Sequence, residues 1–161
     1  MLPDPAGEPA PRPAGQDRIH ATAIAIDEAG LLLRGASGSG KSTLALALIA
    51  LAGQDGRFGR LVADDRTALT ASGKRLVARP VAPLEGIVER RGLGLTPEPA
   101  TPAAVIRLIV DLIGDEPPRM PEPEELVDNL CGIDLPRLRV AGRAGDERLV
   151  LAALDLFTGR D

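Results

Sequence analysis

The segment GASGSGKS, residues 35–42, is a glycine-rich stretch that contains one of the chain's two lysines. It fits the pattern G-x-x-x-x-G-K-[ST], whose glycines let the backbone wrap a phosphate with successive N–H groups pointing inward. Lys41 and Lys74 are the only lysines in an arginine-rich chain. A slim stem ending in a point charge fits inside such a loop, whereas a planar guanidinium does not. The segment therefore predicts a phosphate-binding loop between a strand and a helix.

The composition is that of a globular domain. The chain has 161 residues, 44% of them hydrophobic and 26% charged. A net charge of -4 and the near absence of aromatic residues argue against nucleic acid as a partner. No apolar run approaches the ~18 residues of a membrane span. The opening residues lack the basic start and apolar stretch of a signal peptide, and Cys131 has no possible disulfide partner in the chain. We expect a cytoplasmic protein.

Five prolines within the first thirteen residues indicate a disordered Pro/Ala-rich tail over 1–17. A single domain is expected over 18–161. Elsewhere the local patterns predict a series of short elements. These are strands at 19–26, 31–35, 60–65 and 133–142, a hairpin over 67–79, helices at 42–53 and 146–157, a partly structured loop at 82–95, and a strand or helix at 104–113.

The first two strands flank the loop and set its register. A four-residue turn over 27–30 would pair Ile26 with Leu31, so that paired positions sum to 57. That register places His20, the only histidine, opposite Ser37. A strand histidine is often structural, but an imidazole beside a phosphate loop could contact phosphates or tune a nearby carboxylate. Both interpretations stay open.

Two carboxylates end the strand predicted at 60–65. Asp64 and Asp65 would lie at the sheet edge that faces ligands in α/β proteins. One carboxylate there commonly holds Mg²⁺, and a second could take the proton of an attacking hydroxyl. The other interpretation is one metal carboxylate and one capping residue.

The loop itself supplies the predicted nucleotide contacts. Lys41 would neutralise phosphate charge, and the Ser42 hydroxyl would be a ligand for Mg²⁺. The residues predicted to bind nucleotide are Gly35, Ala36, Ser37, Gly38, Ser39, Gly40, Lys41, Ser42 and Thr43.

The order of these parts resembles the catalytic domain of HPr kinase/phosphorylase. The resemblance rests on IHATAIAI, GASGSGKST, RLVADDR and ERRGLGL, and covers roughly residues 19–95. ERRGLGL is close to the family's signature, Glu-x-Arg-Gly-Leu-Gly, which includes Arg91. The implied fold is α/β, a P-loop-containing mixed sheet with flanking helices, like that of phosphoenolpyruvate carboxykinase. The chain resembles the family's C-terminal catalytic domain only, so a short form is expected.

The resemblance implies roles for residues in the matching motifs. Asp64 would be the general base toward a substrate serine, with Lys41 and His20 as further catalytic residues. Asp65 would support the metal, and Glu89 would be a second Mg²⁺ ligand beside Ser42.

The resemblance is looser toward the C-terminus. Arg119 would be a catalytic arginine in a mobile loop. Gly142 and Arg143 would belong to a segment tied to dephosphorylation.

The implied activity is ATP- and Mg²⁺-dependent phosphorylation of an HPr-like phosphocarrier on serine, with phosphorolytic dephosphorylation as the reverse reaction. A homo-oligomer is expected, and whether it is the hexamer of the long form stays open. A small-molecule kinase with the same loop and a non-catalytic nucleotide-sensing module are the alternatives.

Overall fold

A computed structural model describes residues 16–160 of the chain. Predicted apolar runs become strands, and the two predicted helices are present. The elements are β1 Gln16–Ile19, β2 Ala21–Ile26, β3 Ala29–Gly35, α1 Lys41–Gln54, β4 Gly59–Ala63, β5 Thr67–Ser72, β6 Arg75–Pro80, β7 Ile87–Arg90, β8 Gly94–Pro97, β9 Ala104–Leu112, β10 Val127–Leu130, β11 Ile133–Val140 and α2 Asp146–Thr158.

A large mixed sheet organises these elements. Its strands run in the order β1-β5-β6-β9-β3-β2-β4, with β11 beside β9 and β10 beside β11. β3 and β11 both pair with β9 in parallel, and the other pairs are antiparallel. The carboxyl ends of β3, β4, β9 and β11 consequently meet at one edge. This confirms the predicted α/β class, a mixed sheet with flanking helices.

The sheet is buried on both faces. Leu44 and Leu48 of α1 pack with Val150 and Leu154 of α2 on one face. A second core on the other face joins side chains of β2, β3, β5, β6 and β9. β2 explains why IHATAIAI looks apolar throughout, because its alternate residues enter different cores. Neither helix of the described residues 16–160 has the length and apolar character needed to cross a bilayer.

The hairpin register differs from the predicted one. Ile26 pairs with Ala29, so paired positions sum to 55 and the turn has two residues rather than four. Asp27 adopts a left-handed conformation, φ 53°, which a two-residue turn tolerates at its first position. The predicted alignment of His20 with Ser37 was therefore wrong by two residues.

The segment predicted as a partly structured loop at 82–95 contains β7 and the start of β8, which form a separate two-stranded hairpin. The ambiguous segment at 104–113 is the strand β9, and β10 was missed. Ordered structure was predicted to begin near Arg18, and β1 begins at Gln16. The predicted tail otherwise lies outside the described residues.

The proline-rich connection after β8 also has a structural part. The Leu61 N–H donates to the Pro99 carbonyl at 3.1 Å, and the Thr101 N–H donates to the Leu61 carbonyl at 2.8 Å. These bonds cover the outer edge of β4, which would otherwise present unpaired backbone groups to solvent.

Candidate active site

The phosphate-binding loop joins β3 to α1 at the edge where the parallel strands end. Gly38 and Gly40 have φ of 78° and 100°, which disfavour any other residue. Gly35 is enclosed, because a Cβ there would lie 2.5 Å from the Ser39 Oγ and 2.9 Å from the Leu112 carbonyl oxygen. The sequence pattern is thus required by the local backbone.

Lys41 is buried inside the loop, with 6% of the residue exposed. Its Nζ donates to the carbonyl oxygens of Gly35 at 2.9 Å and Ala36 at 3.2 Å. Within residues 16–160, none of the ion pairs involves this ammonium group. A buried cation held only by carbonyl dipoles is a binding point for an anion.

Asp64 is the central carboxylate of the site, 9% exposed. Its Oδ1 accepts hydrogen bonds from the Ser42 hydroxyl at 2.6 Å and the Thr22 hydroxyl at 2.9 Å. Its Oδ2 accepts one from the Glu89 N–H at 3.0 Å. Asp64 therefore ties together β2, the start of α1 and the β7–β8 hairpin.

Asp65 has a different environment, although it is the next residue. Its side chain is 62% exposed and its Oδ1 lies 2.5 Å from the His20 Nε2. The backbone at Asp65 is left-handed, φ 65°, and its N–H donates to the Thr22 hydroxyl at 3.3 Å. The segment is thus a turn after Ala63, whereas the sequence predicted an extended pair of aspartates.

One cavity of about 660 Å³ unites most of the predicted site residues. Loop residues form one side, Asp64 and Asp65 another, and the β7–β8 hairpin a third. The lining residues are Ser37, Gly38, Gly40, Lys41, Ser42, Thr43, Asp64, Asp65, Glu89, Arg90, Arg91, Gly92 and Gly94. A second cavity of about 730 Å³, beside Asp27 and Arg107, contains none of these residues.

The donor set suits a magnesium ion bound together with phosphates. Ser42, Asp64 and Glu89 offer hydroxyl and carboxylate oxygens around the cavity, which are the ligand types Mg²⁺ prefers. Among residues 16–160, no group of three or more His, Cys, Asp or Glu side chains could hold a metal by itself. Mg²⁺ is usually held by one or two carboxylates plus substrate phosphates, so the residues present fit that mode.

Three predicted residues outside the loop do not line the cavity. The hydrogen bond of His20 goes to Asp65 rather than to the loop. Arg119 is exposed in the segment after β9 and does not line the cavity. Arg143 forms an ion pair with Glu116.

The sequence analysis did not identify Thr22 as a site residue, and it named Gly142 for a different reason. Thr22 is fully buried and bridges both aspartates; its only signal was being the one hydroxyl in an apolar strand. Gly142 packs on the loop, because a Cβ there would lie 2.7 Å from the Ser39 carbonyl oxygen. Its N–H donates to Asp146 at 2.8 Å, which anchors the turn at the start of α2.

A cluster of charged side chains lies next to the phosphate-binding loop, at the end of β3. Arg34, which directly precedes Gly35, donates two hydrogen bonds to Asp111, at 2.7 and 2.8 Å. Arg137 donates a third to Asp111 at 2.6 Å. Burial raises the pKa of Asp111, but the two guanidinium groups outweigh burial and hold that pKa below its ordinary value of 3.8.

Comparisons with known proteins point to one family. A family model described as the HPr serine kinase C-terminal domain matches residues 12–98. The HPr kinase/phosphorylase of Clostridium acetobutylicum is 38% identical over 87 residues, which are 54% of this chain and 27% of that protein. The HPr kinase/phosphorylase of Lactobacillus acidophilus is 27% identical over 145 residues, 83% of this chain and 43% of that protein.

A solved structure matches most of the fold. The HPr(Ser) kinase/phosphatase from Coxiella burnetii has a TM-score of 0.69 and 25% identity, covering 89% of this chain and 93% of that one. The present chain spans less than half the length of the two curated relatives. The family model spans the loop, the aspartate pair and the β7–β8 hairpin, while Arg119, Gly142 and Arg143 lie beyond it. The chain belongs to the family of the HPr serine kinase C-terminal domain.

Proposed function

We propose that this protein transfers the γ-phosphoryl group of ATP, together with Mg²⁺, to a serine hydroxyl of an HPr-like phosphocarrier. Family membership supports the substrate class. The observation that carries the chemistry is the convergence of Lys41, Ser42, Asp64 and Asp65 on one cavity. The predicted cytoplasmic location and homo-oligomer are part of the same proposal.

The loop would bind the β- and γ-phosphates. Its N–H groups and the start of α1 present partial positive charge, to which Lys41 adds a full charge. The Lys41 ammonium would exchange the carbonyls of Gly35 and Ala36 for phosphate oxygens. Charge-assisted bonds of this kind are roughly twice as strong as neutral ones.

Ser42 and Glu89 would hold the magnesium ion, with Asp64 orienting the Ser42 hydroxyl. When bound, Mg²⁺ neutralises negative charge that develops on the phosphates. Asp64 suits a positioning role because both of its oxygens already accept hydrogen bonds.

Asp65 and His20 would handle the proton. The Asp65 carboxylate is open to the mouth of the cavity, and His20 is its only side-chain partner among the described hydrogen bonds. The serine oxygen would bond to the γ-phosphorus as the bond to the bridging oxygen breaks, ADP would leave, and the serine proton would pass to Asp65. This division reverses the roles implied by the resemblance, which gave the base to Asp64, and the two assignments have different consequences for Mg²⁺ dependence.

The reverse reaction would use the same groups. Inorganic phosphate would attack the phosphorus of phosphoserine, and the serine oxygen would recover a proton from Asp65 as the bond breaks. Pyrophosphate and free serine would be the products, which matches the word phosphorylase in the relatives' names.

The direct test is incubation with ATP, Mg²⁺ and purified HPr, followed by mass spectrometry for phosphoserine. We expect one phosphoserine per HPr, formed about 10³-fold more slowly by Lys41→Ala. Nucleotide binding without any phosphoserine would instead support the sensing module. Phosphorylation of a small hydroxylated metabolite in place of HPr would support the small-molecule kinase.

A further inference from the structure

Two leucines are exposed at the end of the β7–β8 hairpin, beside the candidate active site. Leu93 is 75% exposed and Leu95 is 66% exposed. Most leucines of this chain lie in its two cores, where their burial stabilises the fold. Leu93 and Leu95 are separated only by Gly94, so they form a small apolar patch next to a polar cavity. We call residues 91–95 the hairpin tip.

The strand register places this tip beside the cavity. Leu95 pairs with Glu89, and Gly94 pairs with Arg90. Directly paired residues of antiparallel strands share a face, so Leu95 lies on the same face as Glu89, which lines the cavity. Leu93 lies between two further lining residues, Gly92 and Gly94.

The base of the hairpin is anchored to the core and to the site carboxylate. Val88 is fully buried in the core beneath it. The Arg90 guanidinium donates to Thr96 at 2.9 Å and to Glu98 at 2.5 Å. The Glu89 N–H bond to Asp64 couples the hairpin to the site carboxylate.

We propose that the hairpin tip is the docking surface for the acceptor protein, gripping an apolar patch next to the hydroxyl that is phosphorylated. This inference rests on the proposed function. A small acceptor inside the 660 Å³ cavity would leave Leu93 in water. A folded protein whose hydroxyl reaches Asp65 must lie over the cavity mouth and therefore over the tip. Arg91, which forms no ion pair within residues 16–160, favours a carboxylate beside that apolar patch.

The test variant carries Leu93→Ser and Leu95→Ser together. We expect its KM for HPr to rise about tenfold or more, with kcat at saturating HPr and the Kd for ATP unchanged. Leu156→Ser is the matched control, because Leu156 is 77% exposed on α2 and does not line the cavity. The control should keep the wild-type KM. Thermal unfolding checks the fold, and Leu93→Ser alone replaces the double variant if that variant unfolds.

Binding measured by calorimetry separates this inference from the proposed activity. Absence of HPr phosphorylation by the wild type would overturn the activity, while HPr binding that the double variant loses would still support the docking surface. Equal HPr affinity and equal KM in wild type and double variant would overturn docking. Docking would also be overturned if the only effect of the double substitution is to dissociate an oligomer that the wild type forms, since the tip would then bind a second copy of the chain. The same holds if only deletion of residues 1–15 lowers HPr affinity, since HPr would then bind that segment rather than the tip.

Discussion

Asp64 and Asp111 are two buried aspartates near the same edge of one sheet, and they differ in what surrounds them. Their exposed fractions are nearly equal, 9% and 8%. Asp111 accepts hydrogen bonds from the guanidinium groups of Arg34 and Arg137. Asp64 accepts its bonds from two hydroxyls and one backbone N–H, all neutral donors. Burial alone therefore does not distinguish a structural carboxylate from a functional one.

The difference lies in charge compensation. At Asp111 the protein supplies its own cations, so nothing further is needed and the residue holds β3, β9 and β11 together. At Asp64 the described residues leave the carboxylate without a cation, just as they leave Lys41 without an anion. Both charges line the same cavity, and a nucleotide with its magnesium ion would compensate both of them.

Lys41 should give the largest effect. Lys41→Ala removes the uncompensated cation, so we expect phosphotransfer to fall by about 10³-fold. The thermal unfolding midpoint should not fall, because a buried charge is removed. Lys41→Arg should be equally inactive, since a guanidinium does not fit between the carbonyls of Gly35 and Ala36. Steady-state rates of the two variants check this, and wild-type activity in Lys41→Arg would refute the account of the loop.

Substituting the two aspartates should have clearly different effects on the stability of the fold. Asp111→Asn leaves Arg137 without its counter-charge and Arg34 with only the partly exposed Asp128, so we expect a loss of about 3 kcal/mol in the free energy of unfolding, the lower end of the range for a broken buried pair. Asp64→Asn removes a charge that no cation compensates, so we expect a change within about 1 kcal/mol. Urea unfolding of both variants measures the difference. Equal losses would show that the contrast between the two sites is mistaken.

Acid should reduce the difference in unfolding free energy between wild type and Asp111→Asn. The folded-state pKa of Asp111 is depressed below the ordinary value of 3.8, so its contribution to stability is fully present above that value. The contribution is lost as pH falls through the folded-state pKa. The unfolding free energies of wild type and Asp111→Asn should therefore differ by less below pH 3.8 than at neutral pH. A constant gap would argue against the charge pairing.

The sequence predicted the elements with strong local signals and missed those that depend on distant contacts. The loop, α1 and β2 follow from glycine spacing and apolar runs. The hairpin β7–β8 looked like a loop because its charged and glycine residues hide one buried anchor, Val88. Its ion pair between Arg90 and Glu98 is likewise visible only in three dimensions.

The site shows the same limit. The cavity brings together the loop, both aspartates and Glu89, residues that could be named from the sequence. The register of β2 with β3 could not be predicted from the sequence, because it depends on the left-handed backbone of Asp27. The bridging position of Thr22 and the packing of Gly142 on Ser39 require tertiary structure.

A pair of Mg²⁺ titrations of HPr phosphorylation, on Asp64→Asn and Asp65→Asn, determines which of the two aspartates accepts the serine proton. We expect Asp64→Asn to need more Mg²⁺ for half-maximal rate and to recover much of its rate at saturating metal, because Asp64 orients Ser42. We expect Asp65→Asn to stay about 10²–10⁴-fold slow at every Mg²⁺ concentration, with ATP affinity unchanged, because it lacks the proton acceptor. If Asp65→Asn is rescued by metal while Asp64→Asn stays slow at saturating Mg²⁺, Asp64 is the base and the assignment argued from these contacts is contradicted.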